Sequence, residues 1–419
     1  MATSDGTDGG PPVNMRRLGR LRILQALADA GEVSRGDLAV GTGLSRATVS
    51  SVIYDLVREG LVREQTVAAP GSRLGRPPLT MTLVPSAAHV FGLDIGHDHA
   101  RVILSDLVGT PLWDESVDVD VDGSAEDTIA AATRLIDQAL RAARIPRGAI
   151  LGLGVGIACP VDRATGGLRA EGIMPAWVDV KPAEKMAEQT GFRAQVINDA
   201  NASVLAERRY GAAQACDDVV YLRLSSGIGA GIVCDGRMLL GHGGLVGELG
   251  HITVDPNGRV CRCGNRGCLE TIASPTAIAT LLSHSWGRSV TNAELIELIQ
   301  AGDRGAVRAL EDAAEAVGRT LAMTVMTLNP KLIVVGGELS PAGDVLLDPI
   351  RRALRRNVVA GQQHQLELAI SELGDGASAR GAAALVLADA PQLLSVGRRG
   401  AASVRARRTA RQARRGHLR

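Results

Sequence analysis

His251, Cys261, Cys263 and Cys268 fall within one short string, GHITVDPNGRVCRCGNRGCLE. Three thiolates and one imidazole make a closed tetrahedral set for Zn²⁺, and a set with no position left for water stabilises structure rather than activating a nucleophile. Gly264 and Gly267 allow the backbone to fold tightly around such an ion. The remaining cysteines, Cys159, Cys216 and Cys234, are scattered. Met1–Pro12 shows no charged patch followed by an apolar stretch, so a secretory signal is not expected and the protein should stay in the cytoplasm. Thiols remain reduced there, which favours a metal site over disulfides; unligated thiols in a glycine-rich loop are the alternative.

A second set of residues suits nucleic acid. Ser45, Arg46, Thr48, Ser50, Ser51 and Tyr54 occupy one face of a segment whose other face carries Val49, Val52, Ile53, Leu56 and Val57 at helical spacing. Small polar side chains near a helix N-terminus reach base edges and phosphates in the major groove without obstruction. The elements that would present them are readable locally. Leu18, Leu21, Leu24 and Leu27 mark a first helix ending near Gly31, Ser34 caps a second that ends by Gly43, and Ser45 caps the third. Ala39, Gly43, Val49 and Val52 match the usual pattern of a helix-turn-helix, the alternative being a small helical bundle with a solvated face. Leu61–Thr66 and Leu79–Leu83 then read as two strands joined by a loop with Arg73 and Arg76, the layout of a winged helix. Arg76 in Gly-Arg-Pro suits a narrow minor groove, or is an arginine on a surface loop.

The composition agrees with such a protein and excludes others. The chain has 419 residues, 45% hydrophobic and 22% charged, too apolar for a disordered chain and long enough for two or three domains. Aromatics are 2%, so stacking of single-stranded bases is not expected. No uncharged apolar run reaches the roughly 18 residues of a membrane span. Nine arginines and no acid lie in Arg398–Arg419, leaving 37 bases against 45 acids elsewhere. That tail either adds salt-dependent DNA affinity or solubilises the chain. Asn14–Leu83 has ten arginines against six acids, a modest excess of the sign that suits phosphates.

From His89 the periodicity becomes strand-like. Val90–Ile95, Val102–Leu107 and Leu112–Val119, a helix over Ala125–Ala143 and a strand over Ile150–Ile157 make a β-β-β-α-β unit. A similar succession runs from Val219–Val233 to Leu387, with helices near Pro275–Ser285, Thr291–Ala301 and Arg304–Leu328 and a strand at Lys331–Val335. The expected fold is α/β with two lobes and a cleft between them.

The zinc string, together with GHGGLVGELGH (Gly241–His251), INDANASVLAE (Ile197–Glu207), LSSGIGAGIV (Leu224–Val233) and GVGIACPVD (Gly154–Asp162), resembles the ROK family of repressors, open reading frames and sugar kinases over residues 14–390. The resemblance implies a two-lobed, actin-like ribonuclease H fold. With the N-terminal winged helix, it also implies a transcriptional regulator of carbohydrate metabolism. The boundaries expected are a leader at 1–13, a winged helix-turn-helix at 14–84, an effector domain at 85–390 with its zinc loop at 251–268, and a basic disordered tail at 391–419. The resemblance further assigns sugar binding to Asn198, Asp199, Glu248, His251 and Glu270, and the role of general base to Asp199 if the chain is a kinase. Carboxylates and an amide suit a ring of hydroxyls. Asp199 or Glu248 alone would equally serve as a cap or an ion-pair partner.

The nucleotide side departs from the family's kinases. Asp94-Ile95-Gly96-His97-Asp98 stands where those carry Asp-Ile-Gly-Gly-Thr, Ser225-Ser226 where they carry Gly-Thr, and Glu338 follows Gly336-Gly337 where a third glycine is usual. ATP and Mg²⁺ are therefore not expected as cofactors. Cys159 and Val246 replace smaller residues and are expected to narrow the sugar pocket. The function expected is a sugar-responsive repressor acting as a homodimer or tetramer on double-stranded operator DNA, with no membrane partner. The alternatives are a hexose kinase with an attached DNA-binding domain and a ligand-free zinc scaffold.

Overall fold

The structure is a computed structural model that describes residues 12–66, 79–359, 361 and 365–396. It divides into two compact units. One holds the chain through His89, Asp106–Thr110 and the chain from Leu387; the other holds Val90–Ser105 and Pro111–Val386.

In the first unit, helices α1 (Pro12–Ala30), α2 (Arg35–Thr42) and α3 (Arg46–Arg58) surround Ile23, Leu24, Leu27, Leu38, Val52, Ile53 and Leu56, all buried. The expected leader extended to residue 13, but α1 begins at Pro12, whose fixed φ suits a first helical turn. The buried stripe of α1 includes Ile23, whereas Leu18 is 43% exposed. Ser34 caps α2 by accepting from Asp37 N, and Gly43 closes it at φ 67°. Strands β1 (Glu32–Ser34), β2 (Val62–Thr66) and β3 (Leu79–Leu83) form an antiparallel sheet of order β1-β3-β2. Arg73, Arg76 and the arginine-rich tail lie outside the described residues.

The second unit has two lobes. In the first, β4 (His89–Ile95), β5 (His99–Asp106), β6 (Pro111–Asp118), β7 (Ile150–Ile157) and β8 (Ala194–Asn198) form a sheet of order β6-β5-β4-β7-β8. Helices α4 (Ala125–Ala143) and α5 (Pro182–Thr190) accompany it, around a core that includes Phe91, Ile136 and Trp177. Helix α6 (Asp199–Tyr210) follows β8 directly. The second lobe carries β9 (Val219–Leu224), β10 (Ile228–Cys234), β11 (Arg237–Met238), β12 (Leu332–Gly336) and β13 (Glu367–Ile370), in the order β11-β10-β9-β12-β13. Its helices are α7 (Glu270–Ala273), α8 (Pro275–Trp286), α9 (Asn292–Gln300), α10 (Arg304–Leu328) and α11 (Asp344–Asn357).

The last helix, α12 (Ala377–Ser395), passes through Pro391 rather than ending there as the sequence boundary at 390 implied. The bond that proline forfeits is outweighed locally by burial of Leu387 and Ala390. No helix among the described residues is long and apolar enough to cross a membrane.

Glycines bring α12 unusually close to its neighbours. A Cβ on Gly154 of β7 would lie 1.9 Å from the Ala382 carbonyl oxygen, and one on Gly381 of α12 would lie 1.7 Å from that of Ala202 in α6. Backbone thus meets backbone where β7, α6 and α12 converge, and this contact fixes the start of α6, where Asp199 stands. Replacing Gly154 or Gly381 with Ala should therefore cost about 1–3 kcal/mol or more through overpacking, read as a loss of several degrees in Tm. Gly148→Ala, with nothing within 4 Å of the added carbon, should leave Tm nearly unchanged.

Candidate functional site

The cysteine string folds back on itself through short backbone bonds: Val254 N donates to Gly267 O at 2.8 Å, Gly267 N to Arg259 O at 2.8 Å, and Cys261 N to Asn265 O at 2.7 Å. Only glycine fits at 267, with φ 66° and the Asp255 carbonyl oxygen 1.5 Å from where a Cβ would stand. The result gathers one donor atom each from His251, Cys261, Cys263 and Cys268 to within 4.8 Å of one another. Cys263 Sγ and Cys268 Sγ are 3.7 Å apart, and Cys261 Sγ is 3.6 Å from His251 Nδ1. A tetrahedron with Zn–S and Zn–N bonds of ordinary length has edges of roughly 3.8 Å between sulfurs and 3.5 Å between sulfur and nitrogen, and these two separations are of that size. His251 thus turns Nδ1 toward Cys261 Sγ, while its Nε2 faces Glu248 Oε2 at 3.9 Å.

Between the lobes lies a cleft of about 560 Å³, open to solvent on one side, and Asn198, Asp199, Glu248, His251 and Glu270 all line it. Asn198 ends β8 and caps α6, its Oδ1 accepting from Asn201 N at 3.1 Å, while its Nδ2 donates to Asp199 Oδ1 at 2.9 Å. Glu270 opens α7 directly after the cysteine string; its Oε2 accepts from Ile228 N and its Oε1 pairs with Arg262, both at 3.2 Å. Burial, reinforced by the charges of Asp199 and Glu270, pushes the Glu248 carboxyl up to about 7. The string therefore delivers His251, Arg262 and Glu270 to one wall. Arg262 was missed in the sequence, although its place between Cys261 and Cys263 marked it.

The sequence reading also missed Arg223. It sits in β9 within VVYLRL, a charge in an otherwise apolar buried strand, and that anomaly was the available signal. Arg223 Nε lies 2.9 Å from Asp199 Oδ2 and its Nη2 3.7 Å from Asp94 Oδ2. Asp94 also accepts from Ser378 of α12 at 2.5 Å and faces His99 Nε2 at 3.5 Å. Burial opposes charge on Asp94, but Arg223 and His99 outweigh it and hold the carboxyl below its usual range. Burial likewise opposes protonation of His99, yet bonds to Asp94 and Asp98 lift its pKa to about 10.

On the other side of the cleft His97 lines the wall, its Nδ1 2.9 Å from Asp122 Oδ1. Asp98 does not enter; its carboxylate is 69% exposed and bonded to His99. Glu338 Oε1 accepts from Ser226 N at 3.0 Å and its Oε2 from Asn292 at 3.0 Å, while Ser225 Oγ accepts from Glu338 N at 3.3 Å. Of the two expected pocket-narrowing residues, Cys159 lines the cleft, whereas Val246 packs against the core of the second lobe. Val246 follows the turn at Gly241 and faces inward there, which the string of glycines did not reveal.

In the first unit, Arg46, Thr48, Ser51 and Tyr54 are exposed on one face of α3 and Ser50 is half-buried. Ser45 Oγ accepts from Thr48 N at 3.1 Å and lies 2.8 Å from Thr48 Oγ1, so these two hydroxyls fix the helix start. Arg20 makes two 2.7 Å bonds to Glu59 just beyond α3 and one of 3.3 Å to Leu394 O, tying α1, α3 and the end of α12 together.

Residues 90–389 match the ROK family profile and residues 15–71 that of the MarR family. A putative xylose repressor of Caldicellulosiruptor sp. is 30% identical over 389 residues, covering 90% of this chain and 96% of the relative. A crystal structure of a ROK family transcriptional regulator, a homologue of the Escherichia coli MLC protein, superposes with TM-score 0.75 at 27% identity, over 91% of this chain and 99% of that one. A ROK family glucokinase from Streptomyces griseus, in complex with glucose and AMPPNP, covers 71% of this chain and 99% of its own, with TM-score 0.63 and 29% identity. The chain belongs to the ROK family, as a transcriptional regulator that joins a winged helix to a sugar-kinase-like domain.

Two outcomes follow from the geometry. Cys263→Ser should lower the bound zinc measured by mass spectrometry of metals to well below one ion per chain and reduce Tm; stoichiometric zinc in the variant would refute the donor set. Because the His99 pKa is raised in the folded state, its stabilisation is complete below about 6.5 and is lost as pH rises through about 10. The Tm gap between the wild type and His99→Gln should accordingly be wide at neutral pH and narrow toward pH 10.

Proposed function

We propose that the cleft binds a sugar and that sugar occupancy sets the DNA affinity of the winged helix, so that the chain works as a sugar-responsive repressor without phosphorylating its ligand. The observation that carries this reading is the asymmetry of the cleft. Asn198, Asp199, Glu248, His251 and Glu270 converge on one space, while the counterparts of the kinase loops are engaged with the chain's own side chains, as Ser226 is with Glu338. Xylose in the name of one relative and glucose in the complex of another make D-xylose and D-glucose the first ligands to test.

The sugar must favour one arrangement of the regulator over another, since equal affinity for both shifts nothing. A coupling of about 1–3 kcal/mol changes operator affinity roughly 5- to 150-fold. A homodimer, or a tetramer built from it, would read half-sites of a pseudo-palindrome with Arg46, Thr48, Ser50, Ser51 and Tyr54 in the major groove and Ser45 anchoring the helix start. Arg73 and Arg76 belong to the wing of this reading, and zinc has a structural part, holding His251 and Glu270 against the ligand. The site of action is the cytoplasm, where the DNA is.

Fluorescence anisotropy on DNA selected by the protein from a random pool tests this. Glu248→Ala should keep operator binding and lose the sugar response; a preserved response would remove the cleft from sensing. Arg46→Ala should weaken operator binding by about 1–3 kcal/mol and leave sugar affinity intact. A coupled assay with ATP and either sugar should give no sugar-dependent ADP, and turnover would overturn the regulator-only reading.

A further inference from the structure

A buried guanidinium between two buried carboxylates calls for a reason. The Arg223 side chain is 7% exposed and the Asp94 side chain 0%, and the pair Asp94–Asp199 is the kind of oxygen donor set that in a phosphoryl-transfer site addresses a divalent cation. Here the space between them is taken. Arg223 Nε reaches Asp199 and Nη2 reaches toward Asp94, and protonated His99 supplies a second positive charge, so two carboxylates meet two cations. A divalent ion would have to displace a guanidinium that cannot lose its proton. The opposite charge is duplicated as well. The Ser226 N–H, a natural donor to a phosphate oxygen, is already given to the Glu338 carboxylate.

Two atoms of this cluster make no hydrogen bond: Asp94 Oδ2, which has its charge partners at 3.5 and 3.7 Å, and a donor of Arg223. Arg223 Nη1 is buried and has no hydrogen-bond partner, and Arg223 lines the cleft beside Asp199. A buried donor on a charged group is costly to leave unmade, which points to a ligand atom as its missing partner. A sugar hydroxyl fits on both counts, because it accepts one hydrogen bond while donating another.

Resting on the sugar-cleft reading, we propose that Arg223 is a tethered cation in the place of a divalent ion and a ligand contact. In this role Nη1 donates to one sugar hydroxyl that in turn donates to Asp199. The cleft is then complete without metal or nucleotide, and Arg223 selects ligands that offer an oxygen at this position.

The test uses the full-length, zinc-loaded protein with R223M and R223K. Manganese is the probe for the ion position. About 1 mM Mn²⁺ should leave the Tm of the wild type and of R223K unchanged and raise that of R223M by about 5 °C, since an ion that binds the folded state stabilises it. A shift of that size in the wild type, or none in R223M, overturns the replacement of the ion. Titration calorimetry with D-xylose and D-glucose probes the contact. Adding about 5 mM Mg²⁺ should not change wild-type affinity, and R223K, which keeps the charge but loses the fork, should bind roughly tenfold to hundredfold more weakly. Undiminished affinity in R223K removes Arg223 from the ligand contacts, and this arm decides the matter even where R223M does not fold. Failure of both sugars to bind the wild type would count against the sugar-cleft reading itself, while the manganese arm still judges Arg223.

Discussion

Moving a guanidinium and two carboxylates out of water carries a desolvation cost of several kcal/mol per ion, and mutual attraction repays it only when geometry and further hydrogen bonds are good. Asp94 is supported by Ser378 of α12 and His99 of β5, and Asp199 by its two chain neighbours, the Asn198 amide and the Ala200 N–H. The strand β9, the start of α6, the start of α12 and the end of β4 are therefore held in one electrostatic arrangement at the heart of the effector domain. The glycines at 154 and 381 serve the same end, since they let α6 and α12 approach closely enough for those groups to meet.

A second constraint organises the other wall. The cysteine string makes a compact loop that gathers three sulfurs and one imidazole nitrogen to within 4.8 Å of one another. It also lends residues to the cleft: Arg262 lies between two of the cysteines and Glu270 follows two residues after the third, and both line the cavity. His251 belongs to both environments, one ring nitrogen among the sulfurs and the other toward Glu248. Ordering of the loop and shaping of the cleft are consequently one event.

What the sequence disclosed follows the range of the interactions concerned. Ser34, Gly43 and Ser45 act within a few residues, so the caps and lengths of α2 and α3 were legible, as were α4 and β7, which run over the residues their periodicity marked. The cysteine cluster was legible because its donors are close in the chain. By contrast, the bond from Ser226 N–H to Glu338 joins residues 112 positions apart, so in sequence Glu338 was visible only as a missing glycine. Arg223 stood one residue before a recognised string, and its partners are set by topology alone. The three-residue strand β1 is too short to carry a period, and the passage of α12 through Pro391 is decided by burial rather than by propensity.

The placement of Arg223 and Glu338 also bears on which substitutions the chain can accept. Losing Arg223 alone takes the shared guanidinium from two buried carboxylates, and losing Glu338 alone leaves the Ser226 N–H without its acceptor, so either step lowers stability. Substitution at either position is thus selected against by the fold itself, whatever the cleft comes to hold.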